Sequence, residues 1–403
     1  MDTASGIKTP YYLYNLDLLR QTLNEAQHAA KAYDYHIHYA IKANHNPIVT
    51  GIINDYGYGV DCVSGNEVME ALHRGFPAEK IVYAGVGKSD DEIRQALEND
   101  IFCFNVESLE ELQVIDEIAS EMKKTARIAL RVNPGVQAHT HKYITTGLDE
   151  NKFGIHPSQL QEALNLCRSS QWLDFMGLHF HIGSQITSLQ PFADLCQRVN
   201  EIWNEFDITS MGARILNLGG GLGVNYEDPD NNPIPDFQSF FSVIAENLKI
   251  PEHIKVHFEL GRSLVAQCGN LITRVLYTKK GVDKEFVITD AGMTELMRPS
   301  LYQARHRIEN ISNSGETCHY DVVGPVCESS DVFGKAVELP VTRRGHLLAI
   351  KSCGAYAESM MLRYNMRARA KSFFKTSGKI SPISQCKGGE SITTEEGQFS
   401  RVN

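Results

Sequence analysis

Polar and apolar residues follow two rhythms along this chain. Short apolar or alternating runs with the period of a strand recur at 37–41, 59–63, 81–84, 101–106, 127–132, 175–180, 214–218 and 255–259. Between them, apolar residues three and four apart mark helix faces at 67–74, 91–99, 109–123, 160–168, 192–206 and 237–248. Ser89 with Glu92, Ser108 with Glu111 and Ser158 with Gln161 read as helix starts. In each pair the hydroxyl can accept from an orphan amide, and the side chain three residues on can reach back.

Strands alternating with helices predict an α/β fold, either an eight-stranded β/α barrel or an open doubly wound sheet. The strand ends favour the barrel. Lys42-Ala43-Asn44, Gly85, Asn133, His181-Ile182-Gly183-Ser184, Gly219-Gly220-Gly221 and Gly261-Arg262 each follow a strand, and a barrel gathers such clusters around one mouth where an open sheet spreads them along an edge. Past Gly269 the pattern turns to short alternating segments at 270–277, 285–290, 319–323 and 346–350, the mark of a β-domain. Tyr11-Tyr12-Leu13-Tyr14 adds a strand to it. The expected division is a barrel over 26–269, a β-domain over 1–25 and 270–375, and a loose polar tail over 376–403.

Composition narrows the function classes. At 403 residues the chain exceeds the size of one core, which stops growing at roughly 250–300. No apolar run approaches the ~20 residues of a membrane span, so no membrane partner is expected. A net charge of -10 argues against nucleic acid. Nine cysteines without a C-x-x-C pair predict neither a disulfide framework nor a zinc knuckle, and no metal is expected. No basic-then-apolar leader opens the chain, so the expected compartment is a reducing cytoplasm.

Lys42 ends an apolar strand, where a lysine either lies on the surface or faces the barrel mouth; desolvated there, it would have a lowered pKa and could form a Schiff base. Gly219 to Gly221, followed by Gly223, suit a backbone cradle for a phosphate, or simply a loop. Neither the dinucleotide fingerprint nor the P-loop is complete. His179 and His181 are expected on opposite faces of their strand, leaving His181, at its end, as the functional one. Glu259 and Arg262 could form a plain ion pair; at a cofactor site the carboxylate could hold a ring nitrogen protonated and the guanidinium could take a carboxylate. Cys327, beside Glu328 and Asp331 after the turn at Gly324-Pro325, looks less like core than most cysteines.

In this order the segments resemble the fold-type III pyridoxal-phosphate decarboxylases, the diaminopimelate branch in particular. The resemblance spans about residues 8 to 370. It rests on the conjunction of Tyr39-Ala40-Ile41-Lys42-Ala43-Asn44, His181-Ile182-Gly183-Ser184-Gln185, Gly219-Gly220-Gly221-Leu222-Gly223, Glu259-Leu260-Gly261-Arg262, Met297-Arg298-Pro299, Cys327-Glu328-Ser329-Ser330-Asp331 and Gly354-Ala355-Tyr356. It implies pyridoxal 5'-phosphate as cofactor, Lys42 as its Schiff-base lysine, and His181 stacked on its ring. Asp61 joins the cofactor-binding set. Ser184, Gly221 and the Gly261-Arg262 backbone would hold the phosphate with help from Tyr356, and Glu259 the pyridine nitrogen. Arg262, Arg298, Tyr302 and Tyr356 would bind the substrate's distal end, and Glu328 its distal amine. Cys327 would protonate the product, arriving with Glu328 from a second subunit of a homodimer. The implied reaction takes meso-2,6-diaminopimelate to L-lysine and carbon dioxide. Leu260 stands where the family usually has proline. Related decarboxylases of ornithine or carboxynorspermidine, an alanine-racemase-like barrel, and a non-catalytic cofactor-binding homologue are the alternatives; retention of Lys42 and Cys327 speaks against the last.

Overall fold

In the computed structural model, which describes residues 6–136 and 152–386, eight parallel strands close into a barrel in chain order. They are His36–Ala40, Gly59–Cys62, Ile81–Tyr83, Cys103–Val106, Ala126–Arg131, Leu173–His179, Ile215–Asn217 and Lys255–Leu260. The last pairs with the first, Glu259 opposite His38, so the open-sheet alternative falls away. The strands are buried almost throughout, on the inside by one another and on the outside by helices, as their apolar runs require.

The helix starts follow the serines in two of three cases. Ser89 and Glu92 form a full capping box. Ser108 accepts from the Glu111 amide, but the Glu111 carboxylate turns instead to the Glu107 amide at 2.9 Å. The third helix, Pro157–Ser169, is capped by His156 rather than Ser158, because a proline lacking an N–H fits the first turn and draws the start forward. One helix, Leu16–Lys31, runs across residue 25, where the pattern divided the chain. Leu16, Leu19, Leu23, Ala26 and Ala30 form a continuous buried face on it.

The second unit is a mixed sheet. Tyr11–Asn15 lies between Gly269–Lys280, antiparallel, and Lys371–Thr376, parallel. The expected loose tail begins instead with a strand, Lys379–Pro382, that pairs back on Lys371–Thr376. Ser377 and Gly378 between them both have positive φ, +47° and +80°, the conformation of a two-residue hairpin turn. Ile380 then packs on the Tyr11, Leu13 and Ile272 cluster. The remainder of that stretch, 387–403, lies outside the described residues. Among the described residues no helix is long and apolar enough to cross a membrane.

Sheet and barrel are joined at the barrel mouth. Asn44 donates to the Tyr14 hydroxyl at 3.0 Å and to the Gly354 carbonyl at 2.8 Å, and the Tyr356 amide donates to Ala43 at 2.8 Å. The sheet thereby carries Tyr356 over the strand ends.

Candidate active site

Lys42 leaves its strand through the short turn Ile41–Ala43 and enters a cavity of about 440 Å³ at the barrel mouth. Its ammonium meets the Asp61 carboxylate at 3.0 Å; the lysine side chain stays 40% exposed while that of Asp61 is fully buried. Burial pulls the Lys42 pKa down, but Asp61, Tyr356 and Glu259 together outweigh it and raise the group above the ordinary lysine value. The expectation of a lowered pKa therefore fails for the protein as it stands, because a buried anion offsets the desolvation. Burial and the nearby Glu259 push Asp61 up to about 7.

Glu259, on the last barrel strand, is clamped from three sides. Asn105 and Asn217 each donate to Oε1 at 2.7 Å, and His179 Nε2 lies 3.1 Å from Oε2. Burial alone would raise this carboxyl; His179 and Lys42 overcome it and hold the group below the usual carboxylate range. It is an anion at the floor of the cavity.

His179 and His181 both line that cavity. The expectation of opposite faces is corrected: residues two apart along a strand share a face. The Gly220 amide donates to His181 Nδ1 at 3.1 Å, so in the neutral ring the hydrogen sits on Nε2. Burial, then Arg131 and Lys42, drive this imidazole well below the usual pKa, and it is neutral.

The glycine run packs as a cradle must. A side chain at Gly220 would stand 2.0 Å from the Glu259 carbonyl oxygen, and Gly221 adopts a φ of +115°. Ser184, Gly221 and Gly261 line the same cavity. Beside them Arg262 donates to Ser184 at 2.9 Å and to the Tyr226 hydroxyl at 2.6 Å, while its Nε is buried without a partner. Tyr356, at a left-handed φ of +56°, lies with its ring centre 4.8 Å from the Arg262 guanidinium carbon. A narrow glycine-lined corner beside a guanidinium fits a phosphate; a floor carboxylate, a stacking imidazole and a reachable lysine fit the rest of pyridoxal phosphate.

Arg262 also borders a second, wider cavity of about 1200 Å³, where Arg298 and Tyr302 lie. Arg298 opens the short helix Arg298–Tyr302 and donates to His306 Nε2 at 2.6 Å. Cys327 and Glu328 line neither cavity. Both are exposed: the Cys327 amide donates to Asn365 at 3.1 Å, and Glu328 accepts from the Tyr364 hydroxyl at 2.7 Å. Within one chain the structure thus gathers Lys42, His181, Glu259, Arg262, Arg298, Tyr302 and Tyr356 around two cavities that share Leu222 and Arg262, with Asp61 against Lys42, and leaves Cys327 and Glu328 outside.

Sequence reasoning missed Asn105, Asn217, Arg131, Tyr226 and His306, and gave His179 to packing. A signal existed for the two amides. Each is a lone polar residue inside an apolar strand, and a buried amide needs a partner.

Comparison with known proteins agrees with this geometry. Residues 16–266 match the family model described as pyridoxal-dependent decarboxylase, pyridoxal binding domain. A diaminopimelate decarboxylase of Bacteroides thetaiotaomicron is 50% identical over 93% of this chain and 97% of its own. One from Helicobacter pylori strain J99 is 43% identical over 90% of this chain and 89% of its own. The crystal structure of diaminopimelate decarboxylase from Helicobacter pylori complexed with L-lysine superposes with a TM-score of 0.88 at 40% identity, over 94% of each chain.

Proposed function

Because the chain belongs to the diaminopimelate decarboxylase family, we propose that it removes one carboxylate of meso-2,6-diaminopimelate as carbon dioxide and leaves L-lysine. It is a pyridoxal-phosphate-dependent carboxy-lyase. The bound cofactor supplies a sink for the electron pair left when the carboxylate departs.

Each residue has a part in that reaction. Lys42 would hold the cofactor through its ε-amine, Asp61 would set the charge of that amine, and His181 would cover the ring. Ser184, Gly221 and the Gly261-Arg262 backbone would hold the phosphate with Tyr356. Glu259 would keep the ring nitrogen protonated, since a carboxylate held ionised by two amides and an imidazole favours a cation beside it. Arg262, Arg298, Tyr302 and Tyr356 take the substrate's distal carboxylate end, and Glu328 its ammonium. Cys327 delivers a proton to the carbon that lost carbon dioxide.

The placement of Cys327 and Glu328 on the exposed surface supports a homodimer in which each subunit completes its partner's site. Exposed Leu362, Tyr364 and Met366 next to them supply apolar area for such a contact. The expected domain division and a cytoplasmic location belong to the same reading.

The observation that carries the choice of substrate is the juxtaposition of Arg262 and Arg298. Both are nearly buried and held by neutral acceptors, Ser184, Tyr226 and His306. Diaminopimelate differs from a simple diamino acid in carrying a second carboxylate that such cations can grip. Carbon dioxide release should be measured from meso-diaminopimelate, L-lysine, L-ornithine, L-arginine and carboxynorspermidine. The first should exceed the others by up to about 10⁴-fold, the scale for leaving buried polar groups unpaired. Preference for any other overturns the assignment.

A further inference from the structure

Two arginines side by side repel, and burial strengthens the repulsion. Burial, together with Arg262, presses Arg298 below the usual arginine value. Arg298 lines the wide cavity, and His306 gives it a fixed hydrogen-bond partner there. Its Nδ1 lies 2.8 Å from the Lys351 carbonyl, and a carbonyl only accepts, so Nδ1 carries the hydrogen. In a neutral ring Nε2 then presents a lone pair, and Arg298 donates to it at 2.6 Å. Burial, with Arg298 itself, holds the ring neutral, down to about 3. Tyr226 completes the frame: its ring centre lies 4.5 Å from the Arg298 guanidinium carbon, and it meets the His306 ring edge to face at 4.8 Å.

A carboxylate in place of His306 would fix Arg298 more tightly but would neutralise the charge the substrate needs. A neutral imidazole orients without consuming it. We propose that His306 is a positioning residue that aims Arg298 at the substrate's distal carboxylate, and so sets selectivity for ligands that carry one. This rests on the assignment of Arg298 to that carboxylate.

L-lysine and cadaverine share a carbon chain and differ by one carboxylate, so they separate the two ideas. Calorimetric titration of the cofactor-loaded protein should show His306→Phe weakening L-lysine by about 10-fold or more, the scale of one hydrogen bond to a charged group. Cadaverine should move less than about twofold, since it makes no such bond. His306→Gln, whose carbonyl can still accept from Arg298, should recover part of the L-lysine loss. Equal weakening of both ligands, or of neither, overturns the role of His306. Arg298→Met is titrated in parallel. If its preference for L-lysine over cadaverine survives, the assignment of Arg298 itself fails; if the preference falls there but not in His306→Phe, only the inference about His306 fails.

Discussion

Lys42 and Asp61 face each other at 3.0 Å from neighbouring strands at the barrel mouth, the ammonium open to the cavity and the carboxylate sealed from water. An ammonium must shed a proton before its nitrogen can attack an aldehyde carbon. If Lys42 is the lysine that holds the cofactor, Asp61 would slow its first reaction with it. Asp61→Asn should shift the pH midpoint of cofactor uptake by cofactor-free protein downward by roughly one unit. The expected shift sits at the low end of the range because the lysine is two-fifths exposed. The growth of the visible absorbance band after mixing, followed across pH, checks this. An unmoved midpoint removes Asp61 from the role.

Glu259→Gln keeps the shape of the clamp and discharges it. Turnover should fall by about 2 to 4 kcal/mol in barrier terms, the range for one preorganised polar contact, with cofactor affinity much less affected. Stability carries a second signature. The folded Glu259 lies below the ordinary carboxylate value, so its contribution is present above an unfolded pKa of about 4.3 and is lost as the pH falls through the folded value. Denaturant unfolding of the cofactor-free wild type and variant should show their difference shrinking on acidification. A difference independent of pH would count against a charged Glu259.

If each site is completed by a partner, two inactive variants should rescue each other. Lys42→Ala mixed with Cys327→Ala, with subunit exchange verified by mass, should recover up to about a quarter of wild-type activity, since random pairing gives half heterodimers with one intact site in two. Heterodimers that form and stay inactive would place the whole site within one chain.

Strand periodicity and the polar strand ends were enough to read the barrel, because each barrel strand is a local apolar run with a glycine or charge at its end. What escaped was made by closure of the barrel. Asn105, Asn217 and Glu259 lie on three different strands, and nothing local says that the two amides will converge on one oxygen. The pKa of Lys42 was misread for the same reason: its partner Asp61 belongs to the neighbouring strand. His306 and Tyr226 escaped because both stand outside regular elements, where no period marks a face. The hairpin after Thr376 was hidden by polar composition, since Ile380 is its one strongly apolar anchor.

A side chain at Gly220 would stand 2.0 Å from the Glu259 carbonyl oxygen, so no mutation to a larger residue can settle there without opening the barrel mouth. The corner that handles the electron pair is closed to drift. The distal end proposed for the substrate would be built differently, on the five-residue helix Arg298–Tyr302 and, from a partner subunit, the exposed Glu328. Descendants of such a scaffold could therefore exchange one amino-acid diet for another by rewriting a few positions away from the barrel strands, inheriting the bond-breaking half unchanged; ancestry should be legible at Gly220, and appetite at 298–306 and 328.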